Sequence, residues 1–198
     1  ADAGQPLVPV LAAVVAAHGG EPVAYRTAHD TIEALSEALD ACLSDDLLVF
    51  SGGSSVGERD LILDLLAARG EVIFHGIAIK PGKPTAFGRV AGRLFFGMPG
   101  YPTSCLSNAY VLLAPALRQM ARLSPDAVRS VALPLGQRVA SAPGRHQFYT
   151  VRIVGHAAVP AFKSSGDITS MSQADGYIDI PAGSGFVEQG EVVEVTLF

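Results

Sequence analysis

The chain has 198 residues, of which 49% are apolar and only 17% charged, and it carries a net charge of −5. This composition supports a well-buried core in one large or two modest domains and excludes wholesale disorder. The negative balance argues against non-specific nucleic-acid binding.

The first two-thirds of the chain alternates helix and strand patterns. Residues 6–18 place Leu7, Val8, Leu11, Val14 and Val15 on one helical face, and Gly19-Gly20 ends that helix. Pro22 to Tyr25 reads as a short strand. Asp30-Thr31-Ile32-Glu33 has the form of a capping box with Asp30 at the N-cap, opening a helix to about Leu43. Leu47–Phe50 is a continuous apolar run, as expected of a strand buried on both faces. Asp60 is placed to cap a helix through Ala68 that stops at Gly70, and Val72–Ile79 reads as the next strand. Thr85–Gly88 and Leu94–Gly97 flank a turn at Val90-Ala91-Gly92-Arg93, and a long helix runs from about Thr103 to Leu123 with a kink expected at Pro115. Such alternation predicts a doubly wound, mostly parallel sheet with helices on both faces, over residues 1–124. A doubly wound domain ordinarily opens with a strand, whereas this chain runs almost directly into a helix. The helix at 6–18 is therefore expected to flank a gap where a first strand belongs. From residue 130 to 198 short strand-like runs (131–135, 147–154, 177–180, 191–198) broken by Gly and Pro predict a small all-β barrel or sandwich.

Cys42 and Cys105 are too few and too far apart for a disulfide framework and sit in apolar, helix-like surroundings, so buried free thiols are expected. The apolar stretch at 7–17 lacks a basic leader and is too short for a membrane span, which makes a cytoplasmic location the expectation. Residues 1–50 hold one basic side chain, Arg26, against eight acidic ones, whereas Arg59 to Arg93 hold six basic against three acidic. A local positive region in an acidic protein suggests an anionic small-molecule ligand.

Three turns follow strand-like runs. Ser51-Gly52-Gly53 and its continuation through Ser54, Ser55, Val56 and Gly57 permit close backbone approach to a ligand, although a Gly-Gly turn after a strand is more often only a turn. Lys80-Pro81-Gly82-Lys83-Pro84 is more distinctive, because two prolines stiffen a loop carrying two lysines suited to anchoring phosphate or oxyanion. It is not a Walker loop, since no Ser/Thr follows a Gly-Lys pair at a helix start. Pro99-Gly100-Tyr101-Pro102 delivers Thr103 and Ser104 to a helix N-terminus, where anions are favoured and where Thr103 could equally serve as the cap. In a parallel sheet all three loops would leave at one carboxyl edge. The five histidines, at 18, 29, 75, 146 and 156, show no metal spacing and read as structural or solvated.

Taken together these motifs resemble the molybdopterin molybdenumtransferases, the MoeA proteins and the related E domain of gephyrin. Ser51 to Asp60 matches Ser-Gly-Gly-x-Ser-x-Gly-x-x-Asp, residues 80–84 match Lys-Pro-Gly-Lys-Pro with the pattern continuing through Phe87-Gly88, and 99–104 match Pro-Gly-Asn-Pro-x-Ser except that Tyr101 stands for asparagine. Gly144-Arg145, Ser164-Ser165-Gly166 and the closing Gly190–Val195 look like that family's C-terminal β domain.

The resemblance implies insertion of molybdate or tungstate into adenylylated molybdopterin, with release of AMP and help from Mg²⁺. It assigns Asp60 to the metal or adenylate, Lys80 and Lys83 to the oxyanion and pterin phosphate, and Asp30 to a paired acidic position whose first member is His29 here. Ser51, Gly52, Gly53, Ser55 and Gly57 match the pterin-phosphate loop, Pro99, Gly100, Thr103 and Ser104 the third binding loop, and Arg145 and Ser165 residues that close over the site. It also implies a homodimer in the full-length protein, no nucleic-acid or membrane partner, and an acidic Thr-Gly-Asp-Glu segment ahead of residue 1. The chain alone is then expected to bind ligand with little turnover. The sister adenylyltransferase, whose fold shares the Gly-Gly and Pro-Gly-x-Pro loops, and a non-catalytic pterin-binding or scaffolding module are the alternatives. The β domain after residue 130 argues against the first.

Overall fold

A computed structural model of the chain describes residues 7–24, 27–52, 60–124, 129–161 and 169–198. In chain order it contains α1 (Leu7–Ala17), α2 (Ile32–Cys42), β1 (Leu47–Ser51), α3 (Leu61–Arg69), β2 (Glu71–His75), β3 (Ile79–Lys80), β4 (Ala86–Val90), β5 (Arg93–Met98) and α4 (Pro102–Asn108). A π-helical stretch (Ala109–Leu113) and α5 (Ala114–Met120) follow. The remainder is β6 (Ser130–Pro134), β7 (Val139–Ala140), β8 (His146–Val154), β9 (Ala157–Pro160), α6 (Thr169–Ser172), β10 (Gly176–Ile180), β11 (Phe186–Val187) and β12 (Val192–Leu197). Two compact units result, one from residues 1–77 and 82–125, the other from 78–81 and 126–198.

In the first unit the sheet order is β1-β5-β4-β2. Strand β1 pairs parallel with β5, but β4 is antiparallel to both of its neighbours, so the sheet is mixed rather than mostly parallel. The reason is the tight turn Ala91-Gly92, with φ of +49° and +80°, which folds β5 straight back on β4 as a hairpin and leaves no room for a crossover helix. Alternation along β5 feeds two cores. Phe96 and Met98 pack with Leu7, Leu11 and Val14 of α1 and with Cys105, Leu113 and Leu117, whereas Phe95 packs with Leu35 and Leu39 of α2 and Ile62, Leu65 and Leu66 of α3. Helices therefore cover both faces of the sheet. Among the described residues β1 pairs with β5 alone, and 21–24 form no strand, since Val23 is exposed and meets no neighbouring ladder.

Two local expectations change. The N-cap of α2 is Thr31, whose Oγ1 accepts the Ala34 N–H at 3.2 Å, and not Asp30. Thr31 has the extended backbone (φ −134°, ψ 150°) a cap requires, which leaves the Asp30 carboxylate out of the helix and exposed. At Pro115 there is a π-helical turn in place of a simple kink. Proline crowds the carbonyl four residues back, and a turn one residue wider, in which the Ala114 N–H reaches Ala109 O, relieves it.

The second unit is built on the sheet β3-β8-β10-β12-β6, with β9 on the outer side of β8 and a separate β7/β11 ribbon. A single bridge, Leu135 with Ala158, links β9 toward the end of β6, so no continuous ladder closes a barrel among the described residues. Val151, Ile178, Ile180 and Val195 form its core, and the short helix α6 makes it less than wholly β.

Candidate functional site

Because β1 and β5 are neighbouring parallel strands, their carboxyl ends lie side by side and the turns that follow them meet. The Gly52 N–H donates to Met98 O at 3.3 Å, and a Cβ on Gly100 would lie 3.2 Å from Gly52 Cα. Two backbones this close favour glycine at the contact, since a side chain at position 100 would push against Gly52. Beyond Gly52 the loop residues Gly53, Ser55 and Gly57 lie outside the described residues. On the other side, α4 begins at Pro102 with Tyr101 as an N-cap that makes no side-chain cap bond. The N-cap position falls on Tyr101, so Thr103 lies inside the helix rather than capping it, and Thr103 and Ser104 are both buried, 2% and 5% exposed.

The lysine segment does not continue β2 as expected. The chain turns at Gly76, with φ +78°, and β2 ends at His75. Ile79–Lys80 then pairs parallel with His146–Gln147 of β8, so Lys80, half-exposed, belongs to the second unit. The Lys80–Pro81 peptide is cis. The chain re-enters the first unit at Gly82. There Lys83 O accepts the N–H groups of Ile77 and Thr85, both at 2.9 Å, while the Lys83 side chain is exposed. The loop is thus pinned by its main chain and presents an ammonium to solvent.

Asp60 caps α3, its Oδ1 accepting the Leu63 N–H at 3.1 Å. Its Oδ2 lies 3.4 Å from His75 Nε2 at the end of β2. His75 is therefore not merely a solvated histidine, and only the sheet topology, which sets the end of β2 beside the start of α3, makes this visible. The positive region also thins on folding. Arg69 pairs with Asp40 and Arg93 Nη1 lies 3.5 Å from Asp46, so acidic residues of the first fifty neutralise two of the six basic side chains. Neither Lys80 nor Lys83 forms an ion pair among the described residues. Cys42 and Cys105 are buried free thiols, and burial pushes the Cys105 thiol up to about 12.

Residues 7–119 match the family described as a probable molybdopterin binding domain, and residues 132–198 match the MoeA C-terminal region, domain IV. The chain belongs to the MoeA-type molybdopterin molybdenumtransferase family. A putative molybdopterin biosynthesis protein of Methanocaldococcus jannaschii is 33% identical over 87% of this chain and 42% of its own length. A molybdopterin molybdenumtransferase of Haemophilus influenzae is 32% identical over 77% of the chain and 40% of its own. The crystal structure of a molybdopterin biosynthesis MoeA protein from Pyrococcus horikoshii, 38% identical, superposes with a TM-score of 0.85 over 96% of this chain and 47% of that one. The chain spans less than half the length of these relatives.

In this MoeA-type chain the described residues do not by themselves fit a resident Mg²⁺. No group of three or more His, Cys, Asp or Glu side chains converges among them. Asp60 offers one carboxylate, already engaged by Leu63 and His75, and an imidazole is a poor partner for so hard a cation. Asp30 is exposed ahead of α2. In the second unit Arg145 is exposed just before β8, its N–H donating to Ala142 O at 3.3 Å, and Ser165 lies outside the described residues. That unit also holds a cleft of about 340 Å³ lined by Asp179, Ser184, Phe186, Glu191, Val192 and Glu194, whose carboxylates suit it poorly to a phosphate. No helix among the described residues is long and apolar enough to cross a membrane.

Proposed function

We propose that this chain carries the molybdopterin-binding portion of an enzyme that inserts molybdate or tungstate into adenylylated molybdopterin and releases AMP. The observation that carries the reading is the Gly52–Gly100 contact at adjacent parallel strand ends, in a chain of this family. Glycine at such an edge lets a phosphate come close to the main chain. On the first unit, Ser51, Gly52, Gly53, Ser55 and Gly57 would cradle the pterin phosphate together with Pro99 and Gly100. Thr103 and Ser104, whose side chains are buried, would contribute through their main-chain N–H groups in the first turn of α4, and Lys83 would neutralise the charge. Asp60 would orient the group that reacts, with Asp30 as a second carboxylate. Lys80, Arg145 and Ser165 are candidate anion contacts of the second unit. Any Mg²⁺ would enter with the substrate's phosphates rather than occupy a prepared cage. A cytoplasmic location and a homodimer of the full-length protein complete the reading.

Titration of the chain with molybdopterin tests this. Native protein should bind, and Lys83→Ala should weaken binding by roughly tenfold or more with little change in thermal stability, since a charge-assisted contact is lost and no ion pair is broken. Lost stability with unaltered affinity would make the lysine structural. Binding by the full-length protein without AMP release in the presence of molybdate would favour the scaffolding alternative.

A further inference from the structure

Beneath the Lys83 loop lies Asn108, the last residue of α4, fully buried and immediately ahead of the π-helical stretch. Its Nδ2 donates to Gly82 O at 2.8 Å and also to Thr85 Oγ1, and the Thr85 hydroxyl in turn donates to Gly82 O at 3.0 Å. The donor count closes. Both amide hydrogens and the hydroxyl hydrogen are used, Gly82 O accepts two bonds and Thr85 Oγ1 accepts one. That count also dictates the amide's orientation, since a flipped Asn108 would set its oxygen against the Gly82 carbonyl. The remaining atom, Asn108 Oδ1, has no hydrogen-bond partner among the described residues. A Cβ built on Gly82, where φ is +110°, would lie 2.4 Å from both Nδ2 and Oδ1, so the amide lies flat against the loop with no slack.

We infer that Asn108 is a positioning residue, which acts through Gly82 and Thr85 to hold the backbone from which Lys83 projects. The inference rests on the proposed anion-binding role of Lys83. For stability alone an apolar side chain would fill this site without an orphaned acceptor. What the amide supplies instead is a pair of donors directed at the two residues flanking Lys83 and Pro84. Together with the Ile77 and Thr85 N–H groups on Lys83 O, they fix the loop before ligand arrives, so less ordering remains to be done on binding.

The test is a double-mutant cycle on the whole chain, with molybdopterin as the titrant and the dissociation constant as the readout. Lys83→Ala sets the reference. Asn108→Ala should weaken binding roughly three- to tenfold where Lys83 is present and less than about twofold in the Lys83→Ala background, because the amide acts through the lysine. Thr85→Val, nearly isosteric, removes the partner hydroxyl and should show the same dependence on Lys83 even if Asn108→Ala folds poorly. An unchanged dissociation constant in both variants, or equal losses with and without Lys83, overturns the inference while leaving the site reading intact. If Lys83→Ala itself has no effect, the site reading and the inference fall together.

Discussion

Asp60 offers a way to separate a cap from a functional carboxylate, because its two oxygens do different things. Oδ1 satisfies the Leu63 N–H at 3.1 Å, while Oδ2 faces His75 Nε2 at 3.4 Å. Replacing Asp60 by Ala removes the cap, about 1 kcal/mol. It also removes a negative charge from the positive end of α3, about 0.3–1 kcal/mol. The contact with His75 adds no more than a few tenths, since His75 is 38% exposed and solvent screens the pair. The total is about 1.5–2 kcal/mol, which for a chain of this size lowers Tm by roughly 4–6 °C. Asp60→Asn keeps an equally good capping oxygen and loses only the charge, so its Tm should fall by roughly 1–3 °C. If the carboxylate also serves the chemistry, the Asn variant of the full-length protein should nevertheless lose AMP release by about 10²-fold or more. Thermal unfolding followed by circular dichroism, paired with the AMP assay, separates the two roles. An Asn variant as unstable as the Ala variant would refute the cap, and one that keeps full turnover would refute the functional assignment.

Gly82→Ala should destabilise by about 2–4 kcal/mol, from left-handed backbone strain and the collision with the Asn108 amide. Adding Asn108→Ala should restore part of that loss in urea unfolding, because the collision goes and the φ strain stays. Neither thiol of the native chain should react with a thiol reagent at pH 8, whereas both should titrate in urea, since burial raises Cys42 and Cys105 alike. Burial likewise raises the phenols of Tyr149 and Tyr177 above the ordinary tyrosine range, with the Asp179 carboxylate adding to the shift at Tyr177. Above pH 10 the folded state therefore holds more protons than the unfolded one, and the stability these groups contribute, full below that pH, is lost as pH rises through their folded values. Urea midpoints measured from pH 8 to 11 should fall, and Tyr177→Phe should shallow the decline.

The elements that periodicity and capping chemistry specify were legible from residues alone. The apolar run Leu47–Phe50 and the Asp60 cap before a helix ending at Gly70 are found in the structure, as is the turn at Val90–Arg93. Each depends on neighbours a few positions away. The three motifs likewise sufficed for the family, because glycine, proline and lysine at fixed offsets are local features too. Thr31 displaced Asp30 as a cap by one position, which is within what two adjacent capping residues leave open from sequence. Whether Ile79–Lys80 extends β2 or joins β8 turns on which backbone offers hydrogen bonds, and no pattern of side chains around residue 79 encodes that. The same holds for Arg69 with Asp40 and for Arg93 with Asp46, pairs separated by 29 and 47 positions. His75 beside Asp60 and Asn108 beneath Gly82 belong to this second class. Local sequence sets propensity, periodicity and turn chemistry. The partner of a polar group is chosen by the packing of distant segments, and only in the folded chain does a buried amide come to lie under a lysine loop 26 residues away.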